Sequence, residues 1–174
     1  PPDPGAVNGT PDPGLAFGTG THATTTWCLQ ALAGLDLAHR TVLDFGCGSG
    51  ILAIAALRLG AARALATDVD PRALDATRRN AELNGVAERL EIADAGTMTA
   101  SIADGRVRAD VVIANILAEA LVELADTLLQ AMAPGAVLLL SGILGRQCGE
   151  VKDAYPTINF DVRARQEWRL LATR

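Results

Sequence analysis

Short apolar runs alternate along the chain with longer segments whose apolar positions recur every three or four residues. The runs at residues 41–45, 63–68, 89–93, 109–114 and 136–141 predict strands, the last almost wholly apolar, as in a central parallel strand. Residues 50–59, 71–84 and 117–131 predict the helices between them. Asp70-Pro71 is an N-cap followed by Pro at the first helical position, and Asn84-Gly85 is a C-cap. A helix from about His22 to Leu32, stopped by Gly34, precedes the first strand, and residues 95–108 read as a polar loop. Leu117, Leu121, Leu124 and Leu128 share one helical face, the pattern of core packing. Pro134-Gly135 predicts a turn, and Gly142 precedes a helix near 145–154. Strands 157–163 and 167–173 have no helix between them, so they should pair as an antiparallel hairpin. Strand–helix–strand crossovers are right-handed. The pattern therefore predicts a doubly wound α/β sheet, mostly parallel, with an antiparallel hairpin at its C-terminal edge.

The first strand carries the densest signal. Val42 and Leu43 lead to Asp44, then Gly46, Gly48 and Gly50 at alternate positions, and an Ala-rich helix starts at once. Glycines permit positive φ and a close-lying ligand, and a helix N-terminus contributes N–H groups and a positive field. By itself such a loop is equally a plain strand-to-helix turn. Asp44 narrows the choice. A dinucleotide lays its pyrophosphate over this loop, and a carboxylate just ahead of the first glycine repels it. The same carboxylate suits a cation, and S-adenosylmethionine carries both an ammonium and a sulfonium. Asp68 ends the second strand at the spacing of a ribose-binding acid. Asp94 ends the third strand, where it is either an acceptor for an adenine amino group or a loop acid. Asn115 ends the fourth. All four stand at predicted strand carboxyl ends, where open α/β sheets bind ligands.

Composition changes this reading little. The net charge is −5 with no basic block, which argues against a nucleic-acid partner bound through its phosphates. Cys28, Cys47 and Cys148 are odd in number, far apart and form no CxxC, which argues against disulfides or a metal site and suits a reducing cytoplasm. Cys47 is either a nucleophile or a small filler in the glycine loop. No apolar run approaches a membrane span, so no membrane partner is expected. Five of the eight prolines fall in residues 1–14, a lead-in or linker. Residues 15–25 then combine an apolar cover (Leu15, Phe17), glycine hinges (Gly18, Gly20) and hydroxyls (Thr19, Thr24, Thr25). They read as a lid over a ligand, or as a turn and a capped helix start; His22 is as consistent with capping as with catalysis.

DFGCGSG with Asp68 resembles the class I S-adenosylmethionine-dependent methyltransferases. More narrowly, DPGLAFGTGTHATT (Asp12 to Thr25), LDFGCGSGILAIAALRLGA (Leu43 to Ala61) and VIANILAEAL (Val112 to Leu121) resemble the PrmA-type ribosomal protein methyltransferases, as do LLLSGIL (Leu138 to Leu144) and the terminal EWRLLATR. The resemblance implies a Rossmann-like methyltransferase domain, here residues 15–174, that N-methylates a stalk-base protein of the large ribosomal subunit. It also implies a separate, preceding substrate-recognition domain, which these 174 residues are not expected to include. The cofactor-binding residues it implies are Phe17, Gly18, Thr19, Thr24, Asp44, Gly46, Gly48, Gly50, Asp68, Val69, Asp94 and Asn115.

Methyl transfer to an amine needs the amine neutral, and a lysine with pKa ~10.4 is neutral about one part in a few thousand at pH 7. A side-chain amide oxygen can accept its N–H bonds and aim the lone pair. Asn115 resembles the Asn that opens the Asn/Asp-Pro-Pro-Tyr motif of amine methyltransferases, although Ile-Leu-Ala follows it here. Asn115 is thus the candidate catalytic residue, with positioning as its contribution. Two other readings compete: an NAD-dependent oxidoreductase, opposed by Asp44 and by GxGxG in place of GxGxxG, and a cofactor-binding module without efficient transfer.

Overall fold

The computed structural model describes residues 23–173, and the calls on residues 1–14 and on Phe17, Gly18, Thr19 and His22 lie outside them. Seven strands form one sheet in the order β3-β2-β1-β4-β5-β7-β6. The parallel strands are β1 (Thr41–Phe45), β2 (Arg63–Asp68), β3 (Leu90–Asp94), β4 (Ala109–Asn115) and β5 (Met132–Leu144). The hairpin of β6 (Phe160–Arg165) and β7 (Trp168–Thr173) is antiparallel as expected, with β7 pairing to β5 and β6 forming the outer edge. The chain is therefore the doubly wound α/β architecture its periodicity predicts, with the strand order reversing between β1 and β4.

Two apolar layers sandwich the sheet. Helices α1 (Ala23–Ala33), α2 (Ile51–Arg58) and α3 (Pro71–Leu83) share one core with Val42, Ala64, Ala66, Val111, Ile113 and Leu139. Helices α4 (Ala95–Ala103), α5 (Ala118–Glu123), α6 (Ala125–Gln130) and α7 (Cys148–Asp153) share the other with Leu43, Leu65, Val112 and Leu138. Strand side chains alternate between faces. Asp44, Asp68, Asp94, Asn115 and Ser141 therefore all fall on the α1–α3 face, the first four at or next to the last residue of their strands.

Four expectations are corrected. Residues 95–103 form helix α4 instead of a polar loop, because Asp94 caps it and Met98 and Ile102 bury one face. The helix expected over 117–131 breaks at Leu124, which ends α5 and starts α6. Leu121 and Leu128 are buried as predicted, but Leu117 precedes the helix and is 72% exposed, so it is not a core residue. Strand β5 also runs straight through Pro134-Gly135, with a register shift against β4 between Ala109 and Val111. Among the described residues no helix is long and apolar enough to cross a membrane.

Candidate cofactor and amine site

Asp44 lies at the floor of the site. It is fully buried, and its Oδ2 accepts the amide N–H of Ala53 (3.1 Å), which caps the first turn of α2 from within the strand. Its Oδ1 is buried with no hydrogen-bond partner among the described residues. Burial pushes the carboxyl up to about 7, the Ala53 N–H opposes the rise, and the neighbouring Asp68 adds to it. A buried acid with one oxygen left unsatisfied is costly unless something completes it. A cationic group is the partner that lets it ionise.

The glycine loop above Asp44 has the positive φ values its sequence predicts, at Gly46, Gly48 and Gly50. Its amides are not the free donors expected of a phosphate cradle. Gly46 and Cys47 donate to Thr67 O (2.8 and 2.9 Å), Gly48 donates to Asp68 Oδ2 (2.9 Å), and Gly50 donates to Cys47 O (2.8 Å). The loop carbonyls are tied down as well. Thr77 Oγ1 donates to Gly48 O (3.1 Å) and Asn80 Nδ2 to Ser49 O (2.8 Å), both from α3. A side chain at Gly50 would collide with Thr77 Cγ2 at 2.6 Å. The loop is thus a fixed shelf whose donors turn inward. It does not suit a pyrophosphate, which needs those donors, and it is compatible with a neutral or cationic ligand over Asp44.

Asp68 accepts one N–H on each oxygen, from Gly48 on Oδ2 and from Asp70 on Oδ1 (3.0 Å). A carboxylate has about four lone-pair sites, so each oxygen keeps one for a ligand hydroxyl. The next residue, Val69, is 86% exposed. Asp94 pairs with Asp68 in register across β2 and β3. Both of its oxygens serve the start of α4: Oδ1 accepts Thr97 N–H (3.0 Å) and Oδ2 accepts Thr97 Oγ1–H (2.6 Å), which hold its carboxyl below the usual range.

Asn115 is half-buried at the end of β4, beside Ser141 of β5. Its Nδ2 donates to Thr25 Oγ1 of α1 (3.3 Å). That bond fixes the amide's orientation and leaves Oδ1 as its acceptor. The segment after Asn115 is clamped between two glycines. A Cβ at Gly142 would lie 2.2 Å from Ile116 O, and one at Gly46 would lie 2.2 Å from Ile116 Cγ2. Thr24 is buried in the first turn of α1, one residue before Thr25.

Sequence reasoning named Asp44, Asp68, Asn115 and the glycines, and the structure gathers them at one edge of one face. It missed the residues that hold them there: Thr77, Asn80, Ile116 and Gly142, and the Thr25–Asn115 pair. Cys47 is buried, and burial chiefly, with Asp44 nearby, pushes its thiol up, which leaves it protonated and makes it a filler of the loop rather than a nucleophile.

Comparison with known proteins meets this geometry from the other side. A family model described as "Ribosomal protein L11 methyltransferase (PrmA)" matches residues 1–174. Curated relatives of that name include one from Pectobacterium atrosepticum, 54% identical over 169 residues, covering 96% of this chain and 56% of the relative. Another, from Chromohalobacter salexigens, is 61% identical over 155 residues, covering 88% and 50%. The chain thus spans about half the length of the curated relatives it matches. Among solved structures, a ribosomal protein L11 methylase from Lactobacillus delbrueckii subsp. bulgaricus aligns with TM-score 0.80 at 36% identity, covering 94% of this chain and 82% of that one. An RNA methyltransferase from Salinibacter ruber, in complex with S-adenosyl-L-homocysteine, shares the fold with TM-score 0.63 at 20% identity, covering 88% and 91%. With the family model matching residues 1–174 and the curated relatives more than half identical to it, the protein belongs to the ribosomal protein L11 methyltransferase (PrmA) family.

Proposed function

We propose that this chain is the S-adenosylmethionine-dependent catalytic module of a protein N-methyltransferase, acting on lysine side chains or the N-terminal amine of ribosomal protein L11. The relatives' names supply the substrate. The observation that carries the chemistry is the buried carboxyl of Asp44, with Oδ1 unsatisfied among the described residues beneath a loop in which the amides of Gly46, Cys47, Gly48 and Gly50 already have acceptors. That arrangement favours a cationic nucleoside over a dinucleotide, and with it a methyltransferase over an oxidoreductase.

In this reading Asp44 balances the positive charge of the methionine portion. Asp68 accepts from the ribose hydroxyls through its remaining lone pairs. Exposed Val69 offers an apolar surface to the adenine, and Asp94 stands at its rim. When bound, S-adenosylmethionine supplies an electrophilic methyl carried on a sulfonium. The chain's own part is to present a neutral amine. Asn115 Oδ1 accepts an N–H of that amine and so aims the lone pair, while Thr25 keeps the amide from flipping. The amine sheds its proton to solvent before it is engaged. Positioning of this kind is a large source of rate.

The test has two arms. Calorimetry should show that S-adenosylhomocysteine binds and NAD does not. Labelled methyl groups should then pass from S-adenosylmethionine to L11 or to a lysine peptide. NAD binding at the same site would overturn the cofactor assignment; tight cofactor binding with no transfer to any amine would overturn the enzymatic one.

A further inference from the structure

On the amine side of the site, Asn115 is the one residue assigned a contact so far. Four large apolar residues are conspicuously exposed among the described residues: Val69, Leu83, Leu117 and Val162. Two of them follow the polar residues of the site. Val69 comes directly after Asp68 at the end of β2, and Leu117 comes two residues after Asn115 at the end of β4. These strands lie on opposite sides of β1, so the two residues flank the glycine loop. Leu117 packs into neither core, since Ile116 before it and Ala118 after it take the inward positions.

Two residues beyond Leu117 stands Glu119, also exposed. Its carboxylate is held in place. Gln147 Nε2 donates to Glu119 Oε1 (3.2 Å), and Gln147 Oε1 accepts the amide N–H of Leu144 (3.0 Å) at the end of β5. No cation pairs with Glu119 among the described residues. A charge fixed by a neutral tether and left without a counter-ion is available to a mobile cation. Leu117, exposed at the N-cap of α5 two residues earlier, offers an apolar surface that matches an alkyl stem. Together they match the two halves of a lysine: four methylenes and an ammonium.

We propose that Leu117 and Glu119 form the acceptor-side surface that selects lysine, an inference that rests on the amine-methylation reading. Glu119 attracts the still-protonated amine to the rim, since complementary charge speeds encounter and falls off with salt. Leu117 then lies along the hydrocarbon stem while the neutral amine engages Asn115. Both are specificity residues; neither touches the reacting atoms.

Methyl transfer by the full chain to a short lysine peptide, and separately to methylamine, tests this. Leu117→Ala should raise the KM for the lysine peptide about threefold or more, as expected for lost apolar contact. It should leave kcat, S-adenosylhomocysteine affinity and methylamine turnover near wild type, and Leu117→Met should restore the KM. Glu119→Gln should lower kcat/KM for the peptide about two- to fivefold at low salt, and the deficit should vanish at high salt. Gln147→Ala should reproduce a weaker form of that loss. Unchanged peptide KM and unchanged salt dependence in these variants would overturn the proposal, as would equal losses with methylamine. Transfer confined to acceptors other than lysine would overturn it while leaving the cofactor assignment intact. A wild-type chain that binds no S-adenosylhomocysteine would bring down the underlying reading first.

Discussion

Replacing Asp44 with Asn should make the ligand-free protein more stable at neutral pH while impairing its site. The carboxyl rises from 3.8 to about 7 because it is buried without a full set of partners. The native pKa lies above the unfolded one, so the native state holds a proton the unfolded state has lost. Stability from this group is therefore complete below about pH 4 and is lost as pH rises to about 7. At about 1.36 kcal/mol per unit, the whole change is worth roughly 4 kcal/mol, and the part between pH 5 and 7 about 3 kcal/mol. Asn keeps the shape and the Ala53 contact but does not titrate. Urea unfolding of both proteins at pH 5 and pH 8 isolates the effect, because other groups cancel in the difference. The Asn variant should gain about 3 kcal/mol on wild type over that range. Its S-adenosylhomocysteine affinity at pH 8 should fall about tenfold or more, as for a lost bond to a charged group. Parallel pH profiles for the two proteins would refute the argument, since Asp44 would then be ionised and satisfied in the empty site.

Asn115→Ala should lower methyl transfer by about tenfold to a thousandfold, the scale of losing an oriented polar contact, with cofactor affinity nearly unchanged; proportional loss of both would reassign the residue. Thr25→Val should remove the partner of Asn115 Nδ2 and lower kcat without altering cofactor binding, and Thr25→Ser should retain activity, as read by single-turnover rates. Gly142→Ala places a Cβ 2.2 Å from Ile116 O at a φ of +85°, so it should cost more than about 2 kcal/mol in urea unfolding and depress transfer more than cofactor binding.

The fold was legible wherever a signal was local. The acids and Asn115 at strand ends, the Asp70-Pro71 start and the Asn84-Gly85 stop all follow from a few adjacent residues. Helix α4 was missed because Gly96 and its hydroxyl-rich neighbours read as loop; the apolar pair Met98 and Ile102, four apart, was the signal that could have found it. Leu117 was misplaced because a periodic pattern does not show where a helix begins, and α5 starts one residue later. The supports of the site were beyond reach for a different reason. Thr77 meets Gly48 across 29 residues, Asn80 meets Ser49 across 31, and Asn115 meets Thr25 across 90. Such pairings depend on how α1 and α3 pack on the sheet, and no spacing rule within one segment encodes them. The inward-turned amides of the glycine loop belong to the same class, since their acceptors lie on β2 as well as in the loop itself. Their orientation also strengthens the argument against a dinucleotide, which from sequence rested on Asp44 and loop spacing.

The most direct test of the account is calorimetric titration of S-adenosylhomocysteine and of NAD into the wild-type chain and Asp68→Ala. One S-adenosylhomocysteine should bind per chain, NAD should not bind, and the variant should lose roughly 1.5–3 kcal/mol. The variant loses ribose acceptors and also frees the Gly48 and Asp70 amides that Asp68 now holds. Undiminished affinity in Asp68→Ala, or NAD binding that competes with S-adenosylhomocysteine, would contradict the account.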